Sequence, residues 1–142
     1  KKWLELCKEF IETNAFIYST FGRKRRLENV KSSDKGIASH EIRSGINFLV
    51  QSVASDINLS GAIDMNNYIK RHSLKSRIFA LVHDSVLAEV PEHEVDHYCK
   101  KLKEFMQKDR GVYISGSPIG CEFDISKDYS NGKFEKKYSQ LL

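Results

Sequence analysis

A long helical stretch from about Ser39 to His72 constrains the fold of this chain most. Apolar side chains recur there every three to six residues, on or near one face: Ile42, Ile46, Leu49, Val53, Ile57 and Ile63. This spacing is typical of an amphipathic helix that packs one side against a core. Gly61 lies inside the stretch, and we take it as a candidate break between two helices. The rest of the chain has to fold around this segment.

A helix, a turn and a basic run precede the long stretch. Residues 1 to 13 show helical spacing, and Ala15 to Phe21 is β-branched and aromatic, which predicts a strand. Gly22 and the four consecutive basic residues after it predict a turn, with Leu27 to Val30 as the return strand and a loop over residues 31 to 36. The basic residues are Arg23, Lys24, Arg25 and Arg26.

Two apolar runs flank a polar pair after the long stretch. Arg77 to Val82 and Val86 to Val90 surround His83-Asp84, which predicts a β-hairpin. A helix over residues 92 to 108, a last strand from Ile119 to Ile125 and an irregular tail from Ser126 complete the prediction. Helices set against antiparallel strands indicate an α+β fold.

Charge and hydropathy narrow the class of protein. The net charge of +4 permits nucleic-acid binding without requiring it. We find no run of about 18 apolar residues, so we expect no membrane-spanning helix and no membrane partner. Three cysteines, Cys7, Cys99 and Cys121, are an odd number without a short pairing, and we expect reduced thiols in a cytosolic protein.

Asp84 is the first candidate for chemistry. A carboxylate at the end of an apolar strand is held rigidly, which suits a Mg²⁺ ligand for phosphoryl transfer. Such a site needs a second carboxylate from elsewhere in space. The alternative is an ordinary turn residue, because Asp-Ser is common in turns.

Arg43, Asn47 and Gln51 are the second candidates. They are spaced by four, so they follow one stripe of a helix, and all three can donate hydrogen bonds. Acceptors in the DNA minor groove occur on every base pair, so a row of donors could test pair geometry without reading sequence. The alternative is the polar face that most amphipathic helices have.

Taken together, these motifs identify a resemblance. Arg43-x3-Asn47-x3-Gln51-x2-Ala54-x-Asp56 followed by Val82-His83-Asp84 resembles the late fingers and palm of the family A DNA polymerases, including their motif C. The turn from Thr20 to Leu27 resembles the family's Gly-Arg-rich turn, and the segment from Asn47 to Ser52 leans toward phage members. The resemblance implies the C-terminal part of the palm, with its motif C hairpin, plus the terminal helices of the fingers.

The resemblance also implies roles. Asp84 would be a Mg²⁺ ligand and His83 would lie beside the primer terminus. Arg43 and Gln51 would contact the minor groove or sugar edge of the new base pair, with Asn47 beside them. The turn from Arg23 to Arg26 would lie along the duplex backbone, where contacts position DNA without reading it. By segment, residues 1–36 would hold the helix and basic turn, 37–72 the fingers and palm helices, and 73–142 the motif C hairpin, a helix and the final strand.

Two positions depart from the family pattern. Ser85 stands where the family usually has Glu, and Glu89 on the following strand is a conceivable substitute ligand. Tyr129 stands in the place of a Trp near the C-terminus.

Two family motifs are not found in the sequence: motif A, with the other catalytic Asp, and the nucleotide-gripping helix. We therefore expect this chain alone to be inactive, and to need the N-terminal polymerase portion, primer–template DNA and a deoxynucleoside triphosphate. A phage-encoded enzyme would work in the host-cell cytoplasm. A non-catalytic DNA-binding module and a subunit of a split polymerase remain the alternatives.

Overall fold

A computed structural model describes residues 1–112 and 119–128 and confirms an α+β fold. The chain divides into two compact units, residues 1–56 and residues 57–142. The helices are α1 (Lys2–Asn14), α2 (Lys35–Arg71) and α3 (Val95–Met106), with short 3-10 turns at Glu28–Lys31 and Glu92–Glu94. The strands are β1 (Phe16–Tyr18), β2 (Lys24–Arg26), β3 (Arg77–Val82) and β4 (Ser85–Glu89), and they form two antiparallel hairpins.

The first hairpin is shorter than the sequence predicts. Its turn closes at once: the Gly22 amide donates to the Ser19 carbonyl at 2.9 Å, with Gly22 in the left-handed conformation (φ 80°) that favours glycine. The basic run therefore pairs directly with β1, and the predicted return strand at residues 27–30 is wrong. Leu27 instead enters the core of residues 1–56, fully buried with Ile11.

The long helix is continuous over 37 residues, so the predicted break at Gly61 is wrong. It also begins earlier than predicted, because Asp34 Oδ1 accepts hydrogen bonds from the amides of Gly36 (2.7 Å) and Ile37 (3.3 Å). A side-chain acceptor at this position satisfies amides that have no partner inside the helix. Gly61 remains helical because it allows close packing against Met106 at the end of α3.

Gly61→Ala tests this packing. A methyl group at position 61 would clash with Met106 Sδ and lie 3.3 Å from Met106 Cα. Overpacking costs about 1–3 kcal/mol, and alanine recovers about 1 kcal/mol of helix propensity, so we expect a net loss of about 1 kcal/mol in the free energy of unfolding. Urea denaturation measures it. In a Met106→Ala background the same change should cost nothing or stabilise, and an equal cost in both backgrounds would contradict the packing explanation.

The second hairpin and α3 belong to residues 57–142. Ile78, Val86 and Ala88 pack against a core that includes Met65, Tyr98 and Leu102. The predicted strand from Ile119 to Ile125 is not present: these described residues have no strand structure, although Phe123 is buried and Cys121 and Ile125 pack on the same core. Their apolar character reflects burial and not pairing. Tyr129 and most of the tail after Ser126 lie outside the described residues. No helix in the described part of the chain is long and apolar enough to cross a membrane.

Candidate functional site

The donor row on α2 lies on an open surface of residues 1–56. Arg43, Asn47 and Gln51 are all exposed, and they line a pocket of about 260 Å³. Three further residues complete its lining: Arg25, His40 and Ser44. The structure thus brings Arg25 of the basic run together with the predicted donor row.

Two hydrogen bonds and one cation–π contact hold the arginines of this pocket. Arg25 Nη2 donates to Ser44 Oγ at 2.8 Å, and its guanidinium lies 5.7 Å from the centre of the Phe48 ring. Arg43 Nη1 donates to Ser39 Oγ at 2.9 Å. Both guanidinium groups remain exposed, so they can pair with phosphate as well.

His40 and Ser44 are pocket residues that the motif comparison missed. Their helical spacing could have indicated them, because residues 40, 44, 47 and 51 lie on a single face of the helix. Neither residue belongs to the Arg43-x3-Asn47-x3-Gln51 motif.

The four basic residues have different surroundings. The Nε and Nη2 atoms of Arg23 both contact Asp56 Oδ1, with the Nε distance at 2.7 Å. Lys24 lies over aromatic rings of the first hairpin, and Arg26 is exposed on β2. Only Arg25 of the four lines the pocket with the donor row.

A larger groove of about 760 Å³ lies between α1 and the first turns of α2. Its lining mixes apolar side chains with Glu5 and Glu12, as well as Lys8 and Lys35, and it shares Arg43 and Asn47 with the smaller pocket, which has no carboxylate in its lining. Carboxylates repel phosphate, so the smaller pocket suits DNA better.

Asp84 and His83 form the two-residue turn of the second hairpin. Val82 pairs with Ser85, so the turn is tight, and His83 adopts a left-handed conformation with φ 54°. His83, Asp84 and Ser85 are exposed. The strands project the Asp84 carboxylate into solvent at the tip of the hairpin.

The root of this hairpin is fixed by Glu94. Its carboxylate accepts hydrogen bonds from the Lys75 amide (3.0 Å) and the Ser76 amide (2.9 Å), and from the Ser76 hydroxyl. The Ser76 hydroxyl is the main reason that the pKa of the Glu94 carboxyl is lowered, and the Lys75 amide adds to it. Because Ser76 immediately precedes β3, this contact ties the strand to the start of α3.

Metal-ligating side chains do not cluster around Asp84 in the described part of the chain. Asp84 is one carboxylate, and no cluster of three or more metal-ligating side chains occurs within 1–112 and 119–128. Glu89 is engaged elsewhere, because its Oε2 accepts from Arg77 Nε at 2.8 Å across the hairpin. Asp84 suits Mg²⁺ as a ligand, but further oxygen ligands would have to come from outside the described residues.

The sequence comparisons with known proteins all identify DNA polymerases. The sequence profile of DNA polymerase family A matches residues 1–131. The chain is 46% identical to the DNA polymerase of Escherichia phage T5, over 99% of this chain and 17% of that protein. It is 29% identical to the DNA polymerase of Bacillus phage SP01, over 92% of this chain and 15% of that protein.

A solved structure is also similar. It is the POL domain of Pol1 from M. smegmatis in complex with DNA primer-template and dNTP, with a TM-score of 0.73 and 27% identity. The similarity covers 84% of this chain and 20% of that one. The chain therefore spans about a sixth to a fifth of the length of these proteins.

Proposed function

Because the chain belongs to DNA polymerase family A, we propose that it forms part of a template-directed DNA polymerase. The reaction is attack of a primer 3′-hydroxyl on the α-phosphate of a deoxynucleoside triphosphate, with release of pyrophosphate. The observation that carries the proposal is the placement of Asp84 at the tip of a hairpin whose root is fixed by Glu94. The 46% identity to the DNA polymerase of a phage supports the proposal that this protein acts in the host-cell cytoplasm.

The chain's own residues would bind the primer–template duplex and position its primer end. The pocket with Arg25, Arg43, Asn47 and Gln51 would receive the minor-groove edge and sugars near the primer end, with Arg25 and Arg43 toward phosphate. Arg23, Lys24 and Arg26 would add positive charge along the duplex. His83 would lie against the primer terminus, and Asp84 would hold Mg²⁺.

Mg²⁺, when bound, would neutralise charge that develops on the transferring phosphoryl group. Asp84 is the ligand that we assign to it in this chain. Ser85 would not replace a carboxylate, and Glu89 is held by Arg77. The remaining ligands and the grip on the nucleotide would come from the rest of the polymerase, so we propose that this chain alone is inactive.

A chimera tests the proposal. The matched segment of the phage T5 polymerase would be replaced by these 142 residues, and primer extension would be measured with Mg²⁺ and all four nucleotides. We expect extension by the chimera, none by this chain alone, and full activity from the unmodified T5 enzyme as control. Extension by the isolated chain would contradict the assignment of missing ligands, and a folded but inactive chimera would contradict the polymerase role.

A non-catalytic DNA-binding module is the second candidate, favoured by the exposed pocket of donors and cations. Asp84→Asn separates the two. A pure binder should keep or gain DNA affinity because the change removes a negative charge near phosphates, and it has no extension activity to lose. A polymerase chimera should keep its DNA affinity and lose primer extension.

A further inference from the structure

The first hairpin has a face that the pocket described above does not use. Side chains alternate along a strand, and Ile17 is buried while Arg25 turns toward α2. The opposite side, which we name the outer hairpin face, carries two cross-strand pairs. These are Phe16 with Arg26, and Tyr18 with Lys24.

Aromatic rings form a row along this face. The ring centres of Phe16 and Tyr18 are 5.4 Å apart at 75°, and those of Phe10 and Phe16 are 5.9 Å apart at 84°. Tyr18 is 49% exposed and Phe10 is 44% exposed. Phe10 and Tyr18 thus keep much of their surface open, with the partly buried Phe16 between them, although burial would be the favoured state for apolar groups.

Cations are interleaved with the rings. Lys24 Nζ lies 3.9 Å from the centre of the Phe16 ring and 5.5 Å from that of Tyr18, and Arg26 is exposed beside them. Neither β1 nor β2 contains a carboxylate. The residues one turn from Phe10 on α1 are also uncharged: Leu6, Cys7, Thr13 and Asn14.

We propose that the outer hairpin face binds single-stranded nucleic acid. Unpaired bases stack on aromatic side chains, and neighbouring cations follow the phosphate backbone. A duplex does not offer its base faces in this way, because they already stack on one another. Arg25 points to the opposite side of the hairpin, so this surface is separate from the donor pocket.

Binding of fluorescein-labelled oligothymidylate to the full chain, followed by anisotropy, tests the proposal. Stacking contributes about 1–3 kcal/mol per base, so Tyr18→Ala should raise the dissociation constant for the single strand by at least about fivefold. Tyr18→Phe, the matched control, keeps the ring and should stay within about twofold. Lys24→Gln should reduce the slope of log affinity against log salt by about 0.7, the value for one phosphate contact on a single strand.

The same variants would be titrated with a blunt duplex, and circular dichroism would confirm their helix content. Weaker single-strand binding by Tyr18→Ala, with its duplex binding retained, supports the proposal. Unchanged single-strand binding in Tyr18→Ala and Lys24→Gln overturns it and leaves the face to a protein partner. An equal loss on duplex and single strand in Tyr18→Ala also overturns it, and Lys24→Gln is not used for this comparison because Lys24 also lies along the duplex in the proposed function. This proposal does not depend on primer extension by the chimera. The single-strand-binding proposal and the polymerase proposal can therefore fail independently.

Discussion

Asp84→Asn in the phage T5 chimera should abolish primer extension while leaving DNA binding nearly unchanged. Asparagine keeps the shape of the side chain and one oxygen but loses the charge that a hard cation requires. Metal stabilisation of the transferring phosphoryl group amounts to several kcal/mol, and each 1.36 kcal/mol is tenfold in rate. We therefore expect a loss of about a thousandfold or more in extension rate, measured by single-turnover kinetics, with duplex affinity within about twofold.

Neighbouring side chains provide the matched controls. Ser85→Ala and Glu89→Gln lie on the same hairpin, and Glu89 is held by Arg77. Each should retain extension within about tenfold. If Glu89→Gln were inactive and Asp84→Asn active, Glu89 and not Asp84 would be the metal ligand. If both were active, the hairpin would hold no metal.

Arg23→Ala should destabilise residues 1–56 more than Asp56→Asn does. Asp56 is 7% exposed, whereas the Arg23 side chain is 55% exposed. Removing the arginine leaves a buried carboxylate without its counter-charge, while removing the carboxylate charge leaves an arginine that water can solvate. Allowing for the exposure of Arg23, we expect losses in the free energy of unfolding of about 2 kcal/mol for Arg23→Ala and under about 1 kcal/mol for Asp56→Asn.

Urea denaturation followed by circular dichroism measures both changes. The double variant Arg23→Ala with Asp56→Asn should recover part of the loss, because no buried charge is left unpaired. Lys24→Ala removes the next cation along the chain, which contacts the Phe16 and Tyr18 rings, and should cost about 0.5–1 kcal/mol in stability. Equal costs for Arg23→Ala and Lys24→Ala would contradict the structural role of the Arg23–Asp56 pair.

Local signals in the sequence predicted much of the fold. Helical spacing located α1 and most of α2, and two apolar runs around His83-Asp84 located the second hairpin. Errors arose where distant contacts decide the outcome. Gly61 indicates a break when only its neighbours are considered, but Met106 at the end of α3 makes glycine the residue that fits there. Phe123 belongs to an apolar run that resembles a strand, yet in the structure it packs on a core without strand pairing.

In the candidate site, too, local spacing predicted some features and distant contacts decided the others. Spacing alone places Arg43, Asn47 and Gln51 on one stripe, and the structure keeps all three exposed on one pocket. The basic run could not be resolved from sequence, because adjacent residues of a strand point to opposite faces. Arg25 therefore joins the pocket and Lys24 joins the aromatic row, while Arg23 pairs with a buried carboxylate 33 residues away.

The left-handed backbone at His83 affects how this position can evolve. A φ of 54° is uncommon for residues other than glycine, although histidine tolerates it better than most. Glycine or asparagine would relieve the backbone at the cost of the imidazole. A lineage selected for thermal tolerance alone would drift toward those residues, whereas one selected for turnover would retain histidine if the imidazole acts beside the primer terminus as proposed. The substitutions accepted at this single position would therefore separate the two selection pressures.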